Sequence, residues 1–231
     1  MDLVRKWLAA LCLGLAAFSA AAQNGIGYTT LNTPQPTNTG KKVEVIEFFG
    51  YFCSHCYSFD PYLKEWAKKQ GNHIVFKRVL VGFSPAMLPH QKLFYTLDAM
   101  GKLSEMHSRI FDTVQSGRNP MRTDEQIVNF ITSQGVDRNR FLELYNSPRI
   151  ASLAQAAVEL QGLFGINSVP TVVIDGRYIT SPSIVAESGM RTGMTEAQMQ
   201  SAALEVMDAL VAKVRKDKHL DAASAKSKRK L

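Results

Sequence analysis

A seven-residue run, Val43-Glu44-Val45-Ile46-Glu47-Phe48-Phe49, leads within a few residues to Cys53-Ser54-His55-Cys56, and a helical pattern follows at once. The run is apolar on both alternating faces apart from its glutamates, which predicts a central strand covered on both sides. A strand ending there hands two cysteines to the first turn of a helix. At that point the free N–H groups and the positive end of the helix dipole favour a thiolate. Cys53 is therefore the expected nucleophile and Cys56 its resolving partner.

The rest of the cysteine usage narrows the role of the pair. Residues 1–22 read as a cleavable export signal: Arg5 and Lys6 form a basic start, Trp7 to Phe18 an apolar stretch, and Ser19 to Ala22 a small-residue exit. Twelve apolar residues are short for a membrane span. Cys12 lies inside this signal, so the mature chain holds only Cys53 and Cys56. A vicinal bridge closes too short a loop to act as a staple. Structural zinc needs four ligands, and His73, His90, His107 and His219 lack ligand spacing, so no metal is expected.

The net charge of +7 does not point to nucleic acid. Residues 213–231 hold eight Lys/Arg against two Asp, a net +6, while residues 23–212 are neutral. The segment Asp221–Leu231 lacks an apolar face, and residues 216–231 are expected to form a disordered basic tail.

Along the chain, Tyr28 to Leu31 reads as an edge strand and Pro34 to Gly40 as a connector. A helix is predicted from the cysteines to about Lys69, with Pro61 expected to kink it, and Ile74 to Val81 returns as a strand. Pro85 to Gly165 shows helical signals only, including the capping pattern Thr123-Asp-Glu-Gln126 and the Ser147-Pro148 helix start. Thr171 to Ile174 and Arg177 to Ile179 flank Asp175-Gly176 as a hairpin, and Thr195-Glu-Ala-Gln198 opens a last amphipathic helix. An all-helical block thus interrupts an α/β pattern.

Taken together, Glu47-Phe48-Phe49, Phe52-Cys53-Ser54-His55-Cys56-Tyr57, Pro61 and Gly165-Ile-Asn-Ser-Val169-Pro170-Thr171 make the chain resemble DsbA-type thiol–disulfide oxidoreductases of the thioredoxin superfamily. The similarity runs over roughly residues 28–215 and departs at Ser54, where the best-studied members carry proline. It implies a thioredoxin-like α/β fold, a central mixed sheet flanked by helices, built from residues 23–84 and 166–215. The inserted helical domain is then residues 85–165.

The resemblance also implies donation of the Cys53–Cys56 disulfide to newly exported, unfolded proteins with free thiols in the periplasm. A DsbB-type membrane quinone reductase is the implied reoxidant. No dissociable cofactor and no nucleic-acid partner are expected, and the chain is expected to be a monomer. His55 is read as a group that charges or donates beside Cys53, with Ser54 tuning the motif. The resemblance puts Pro170 in the cis form facing the disulfide, with Val169 offering its backbone to a client as an added strand. It makes Glu47 the acid that moves protons for Cys56, and Glu44, nearer the strand start, is expected to be solvated. Tyr51, Phe52 and Tyr57 are candidates for the rim of a client groove. A reductase or isomerase remains the alternative, although only about twenty mature residues precede the first long strand, where isomerases carry a dimerisation domain. A peptide-binding chaperone with incidental cysteines is the alternative from another class.

Overall fold

The computed structural model describes residues 24–189 and 193–228. The proposed signal, residues 1–22, and the last three residues lie outside this range. Six strands form one sheet in the order β1-β2-β6-β5-β3-β4. These are β1 (Asn24–Gly25), β2 (Tyr28–Thr30), β3 (Val43–Phe49), β4 (Ile74–Leu80), β5 (Thr171–Ile174) and β6 (Tyr178–Thr180). Strand β3 pairs parallel with β4 and antiparallel with β5. It is buried along its whole length, as its two-sided apolar pattern requires.

Helix α1 (Ser54–Gln70) links β3 to β4 and runs unbroken through Pro61. Five helices separate β4 from β5: α2 (Leu88–Ala99), α3 (Leu103–Gln115), α4 (Asp124–Ser133), α5 (Arg138–Tyr145) and α6 (Pro148–Leu163). Their start signals are used as read. Thr123 Oγ1 accepts from Gln126 N at 3.2 Å, and Ser147 Oγ accepts from Ile150 N at 3.4 Å. The hairpin between β5 and β6 turns at Asp175 (φ 52°) and Gly176 (φ 63°), the left-handed pair that a tight primed turn demands. Two elements escaped the sequence reading: the two-residue β1, and α7 (Pro182–Glu187), which uses the same Ser-Pro start as α6.

The alternation of β3 distributes the core. Val43 and Val45 pack with Phe59, Leu63 and Trp66 of α1 and with Met207 and Leu210 of the final helix, α8 (Glu196–Lys228). Ile46 and Phe48 face Ala157 of α6 and Phe164 just beyond it. Phe49, at the end of β3, meets the helical insert through Phe94, Ile110 and Phe111. The cysteines follow directly, so the strand delivers them to the seam between sheet and insert.

Two expectations need correction. Glu44 is buried rather than solvated, because Lys77 on the neighbouring strand reaches its carboxylate at 2.6 Å. The chain also does not become irregular at residue 216: α8 continues to Lys228. Lys218 holds the helix there, donating to the buried Asp175 carboxylate at 2.5 Å and to the Lys42 carbonyl at 2.7 Å. Alanine and lysine beyond it are good helix formers. Lys218→Met removes the nearer of the two cations at the buried Asp175 carboxylate, Arg177 standing at 3.9 Å, and should lower the unfolding free energy by about 2 kcal/mol in urea melts. The exposed Lys216→Met control should stay within about 0.5 kcal/mol of the parent.

Candidate active site

Cys53 is the N-cap of α1, with φ −89° and ψ 114°. Its sulfur accepts the Cys56 N–H at 3.1 Å, taking the place of the hydroxyl or carboxylate oxygen usual at that position. Both thiols are free, and Cys56 is wholly buried while Cys53 sits at the surface edge of the core. The two environments separate the thiols chemically. A hydrogen bond from the Cys56 side chain lowers Cys53 from 9.0 to about 7, against the opposing effect of burial. The backbone N–H groups of Cys56 and His55 and the His55 charge add to the lowering. Burial, then the neighbouring Cys53, drives Cys56 far upward.

On the other side of the sulfur, Cys53 Sγ donates to the Val169 carbonyl at 3.4 Å, across 116 positions of sequence. The Val169–Pro170 peptide bond is cis. The structure therefore brings Cys53, Cys56, Val169 and Pro170 together. Ser54 is exposed at the helix start. His55 lies in the same turn but turns its ring outward, where Nδ1 meets Glu196 Oε1 at 2.8 Å. That hydrogen bond raises the His55 pKa.

Beneath the thiols lies a buried polar chain that sequence reasoning saw only at one end. Glu47 stands in register opposite Arg78, which donates from Nε at 2.8 Å. Arg78 also donates to Asp60 at 2.7 Å, and Asp60 lies four residues after Cys56, on the same face of α1. His107 Nε2 is 3.2 Å from Asp60, and its Nδ1 is 3.0 Å from the Tyr51 hydroxyl. Burial raises the Glu47 carboxyl, with the Arg78 charge opposing it. Burial also pushes Asp60 up, but the His107 hydrogen bond and the Arg78 charge outweigh it and leave Asp60 low. One cation thus serves two carboxylates, and Glu47 is the one driven toward its neutral acid.

Tyr51 must be moved from the client rim to the interior: it is fully buried, and burial raises its hydroxyl well above the ordinary range. Phe52 and Tyr57 are 41% and 39% exposed beside the thiols, and the Tyr57 hydroxyl donates to Asp112 of α3 at 2.8 Å. The helical spacing of Asp60 from Cys56 could have flagged it, whereas Arg78, His107 and Glu196 carry no local signal. Among the described residues, no three His, Cys, Asp or Glu side chains are grouped to hold a metal ion.

A mixed sheet presenting a vicinal dithiol at a helix start, opposite a cis-proline loop, defines a thiol–disulfide exchange protein of thioredoxin-like fold. Comparison with known proteins makes this more particular. The DSBA-like thioredoxin domain matches residues 44–188. A thiol:disulfide interchange protein DsbA of Burkholderia cepacia is 41% identical over 175 residues, 75% of this chain and 82% of that protein. Its counterpart in Bordetella pertussis is 32% identical over 214 residues, 91% and 97% of the two chains. The Pseudomonas aeruginosa DsbA structure superposes with a TM-score of 0.72 at 29% identity, covering 87% of this chain and 95% of that one. Reduced DsbA1 from Neisseria meningitidis gives 0.70 at 27%, covering 87% and 99%. The chain belongs to the DSBA-like thioredoxin domain family, and it is a thiol:disulfide oxidoreductase of oxidative protein folding.

The asymmetry of the thiols has a direct readout. In the reduced protein, alkylation by iodoacetamide should rise through about pH 7 and modify Cys53 alone. Cys56 should stay unmodified at pH values where an ordinary thiol reacts. Equal labelling of both sites, or a midpoint near that of a free thiol at about 8.5, would contradict the geometry described here.

Proposed function

We propose that the chain donates the Cys53–Cys56 disulfide to newly exported proteins in the periplasm, with Cys53 as the attacked sulfur. The observation that carries this reading is membership of the DSBA-like family, and the lowered Cys53 beside the raised Cys56 picks out Cys53 as the attacked sulfur. A drop from 9.0 to about 7 stabilises the reduced form by roughly 3 kcal/mol, or about 60 mV for a two-electron couple. The sign follows from the thiol being an acid whose value is depressed. The stabilisation is complete above the ordinary thiol range and disappears as pH falls through about 7. Stabilising the dithiol form makes the disulfide form the oxidant.

In the first step a client thiolate attacks Cys53, the Cys53–Cys56 bond breaks, and Cys56 leaves with its electron pair. Cys56 is too deeply buried to remain a thiolate and takes up a proton, for which Glu47, its carboxyl raised by burial, is the acid in the electrostatic environment of that thiol. The client's second thiolate then attacks its own sulfur in the mixed disulfide and releases Cys53 as a stabilised thiolate. Two electrons have passed from client to enzyme. Val169 and Pro170 receive the client backbone as an added strand, and Phe52 and Tyr57 give apolar contacts beside it.

The reduced enzyme returns its electrons to a DsbB-type membrane quinone reductase. No helix among the described residues is long and apolar enough to cross a membrane.

The direction of transfer is tested by equilibrating the purified protein with glutathione. The expected potential lies above that of thioredoxin, about −270 mV, and a value at or below it would make the chain a reductase. The attacked sulfur is tested in the reverse direction: the Cys53 thiolate of Cys56→Ala should attack the disulfide of an oxidised, unfolded client and accumulate a mixed disulfide, the client's other sulfur leaving as its thiol, whereas Cys53→Ala should form none. Glu47→Gln should keep the potential within about 30 mV of the parent while slowing release of Cys56 by roughly tenfold or more in stopped-flow. A release rate unchanged across the pH range would remove Glu47 from the mechanism.

A further inference from the structure

His55 reaches across 141 positions to the first residue of α8, Glu196, with 2.8 Å between Nδ1 and Oε1. Exposed ion pairs of this kind contribute little to stability. This one is unusual in how the carboxylate is fixed. The same oxygen accepts from Ser58 Oγ at 2.6 Å, and Gln200, one turn along α8, lies 3.3 Å from it through Nε2. Gln200 is buried and also donates to Ser58 Oγ at 2.8 Å. Ser58 belongs to the turn of α1 after His55, and its hydroxyl lies 3.1 Å from the His55 carbonyl. The carboxylate is therefore held by α1, by its own helix and by the ring it faces.

We propose that Glu196 is a positioning residue of the redox site: anchored by Ser58 and Gln200, it fixes the His55 ring in the first turn of α1, two residues from Cys53, and so makes the disulfide more oxidising. The inference rests on Cys53 being the exchanging thiol.

Among the described residues, the charges acting on the ring are Glu196 from α8 and Cys53 from the start of its own helix. The Ser58 hydrogen bond, then that of His55, holds the Glu196 carboxyl low. The Glu196 hydrogen bond in turn raises His55. A histidine left to itself loses its charge as pH passes about 6.5, across the range where Cys53 ionises. With its value raised, His55 keeps the charge below that higher value and loses it only as pH rises through it. The Glu196 hydrogen bond, the largest cause of that rise, does not involve the cysteines. His55 lies two residues from Cys53, and its charge adds to the lowering of that thiol.

The test compares the full chain with Glu196→Gln, which keeps a hydrogen-bond acceptor and removes the charge. In the disulfide form, NMR titration of His55 should move down toward about 6.5 in the variant. The equilibrium constant against glutathione should fall about threefold at about pH 7.5, and the gap should close at about pH 5.5, where the ring is charged in both proteins. Glu196→Asp should recover part of the loss, and adding Glu196→Gln to His55→Ala should change nothing further. Equal constants at both pH values, an offset that does not depend on pH, or an unmoved His55 titration each overturn the proposal. If the parent protein itself fails to exchange with glutathione through Cys53, the donor reading falls, and this proposal with it.

Discussion

The Cys56 N–H to Cys53 sulfur hydrogen bond is the interaction on which the rest of the site turns. A helix that begins directly after a buried strand leaves N–H groups without partners, and a side-chain acceptor at the N-cap ordinarily satisfies one of them. Here the acceptor is sulfur, a weak one as a thiol and a much better one as a thiolate. Starting α1 and stabilising the Cys53 anion are therefore the same interaction. The strand position fixes it: β3 is paired on both sides, and a slip would part Glu44 from Lys77 and Glu47 from Arg78, so the helix must start where the cysteines stand.

That anchoring carries an electrostatic consequence one layer down. The inward-facing positions of β3 and α1 that could hold only apolar residues instead hold Glu47 and Asp60, with Arg78 between them. Two buried carboxylates and one guanidinium cannot all be satisfied as ions, because burial penalises each charge and Arg78 neutralises only one of them. Asp60, which also has His107, stays ionised, while Glu47 is pushed toward the acid. Pairs of acids driven apart by their surroundings are how a site holds a proton in one place and a charge in another. Burial favours the proton on the strand residue, Glu47, whose charge acts on the Cys56 thiol.

What the sequence made legible was local. The strand, the cysteine spacing, the helix starts at Thr123, Ser147 and Thr195 and the Asp175-Gly176 turn are written within a few residues, because hydrogen bonds and backbone conformation there are short-range matters. Val169 and Pro170 were found only through family resemblance, since nothing near them mentions a thiol. Tyr51, Arg78, His107, Glu196 and Lys218 owe their roles to partners between 18 and 176 residues away. Tyr51 shows the cost: its aromatic type and its place beside the motif suggested a surface groove, yet a histidine from α3 takes its hydroxyl inside. The extension of α8 was missed for the same reason, because Lys218 has a purpose only once the β5–β6 hairpin lies beside it.

The insert completes the site as well as covering it. Gln115 of α3 donates to the Tyr51 carbonyl at 2.7 Å, and Asp112 accepts from Tyr57, so the peptide just before the cysteines and the side chain just after them are both held by one helix of the insert. Val169 approaches from the opposite side, where its carbonyl accepts the Cys53 S–H. A disulfide has no S–H, so oxidation removes this donor and leaves the Val169 carbonyl free. On the proposed mechanism, this is the state in which a client strand must pair there. After transfer Cys53 is released as a thiolate, and the S–H donor to Val169 returns only as pH falls through about 7.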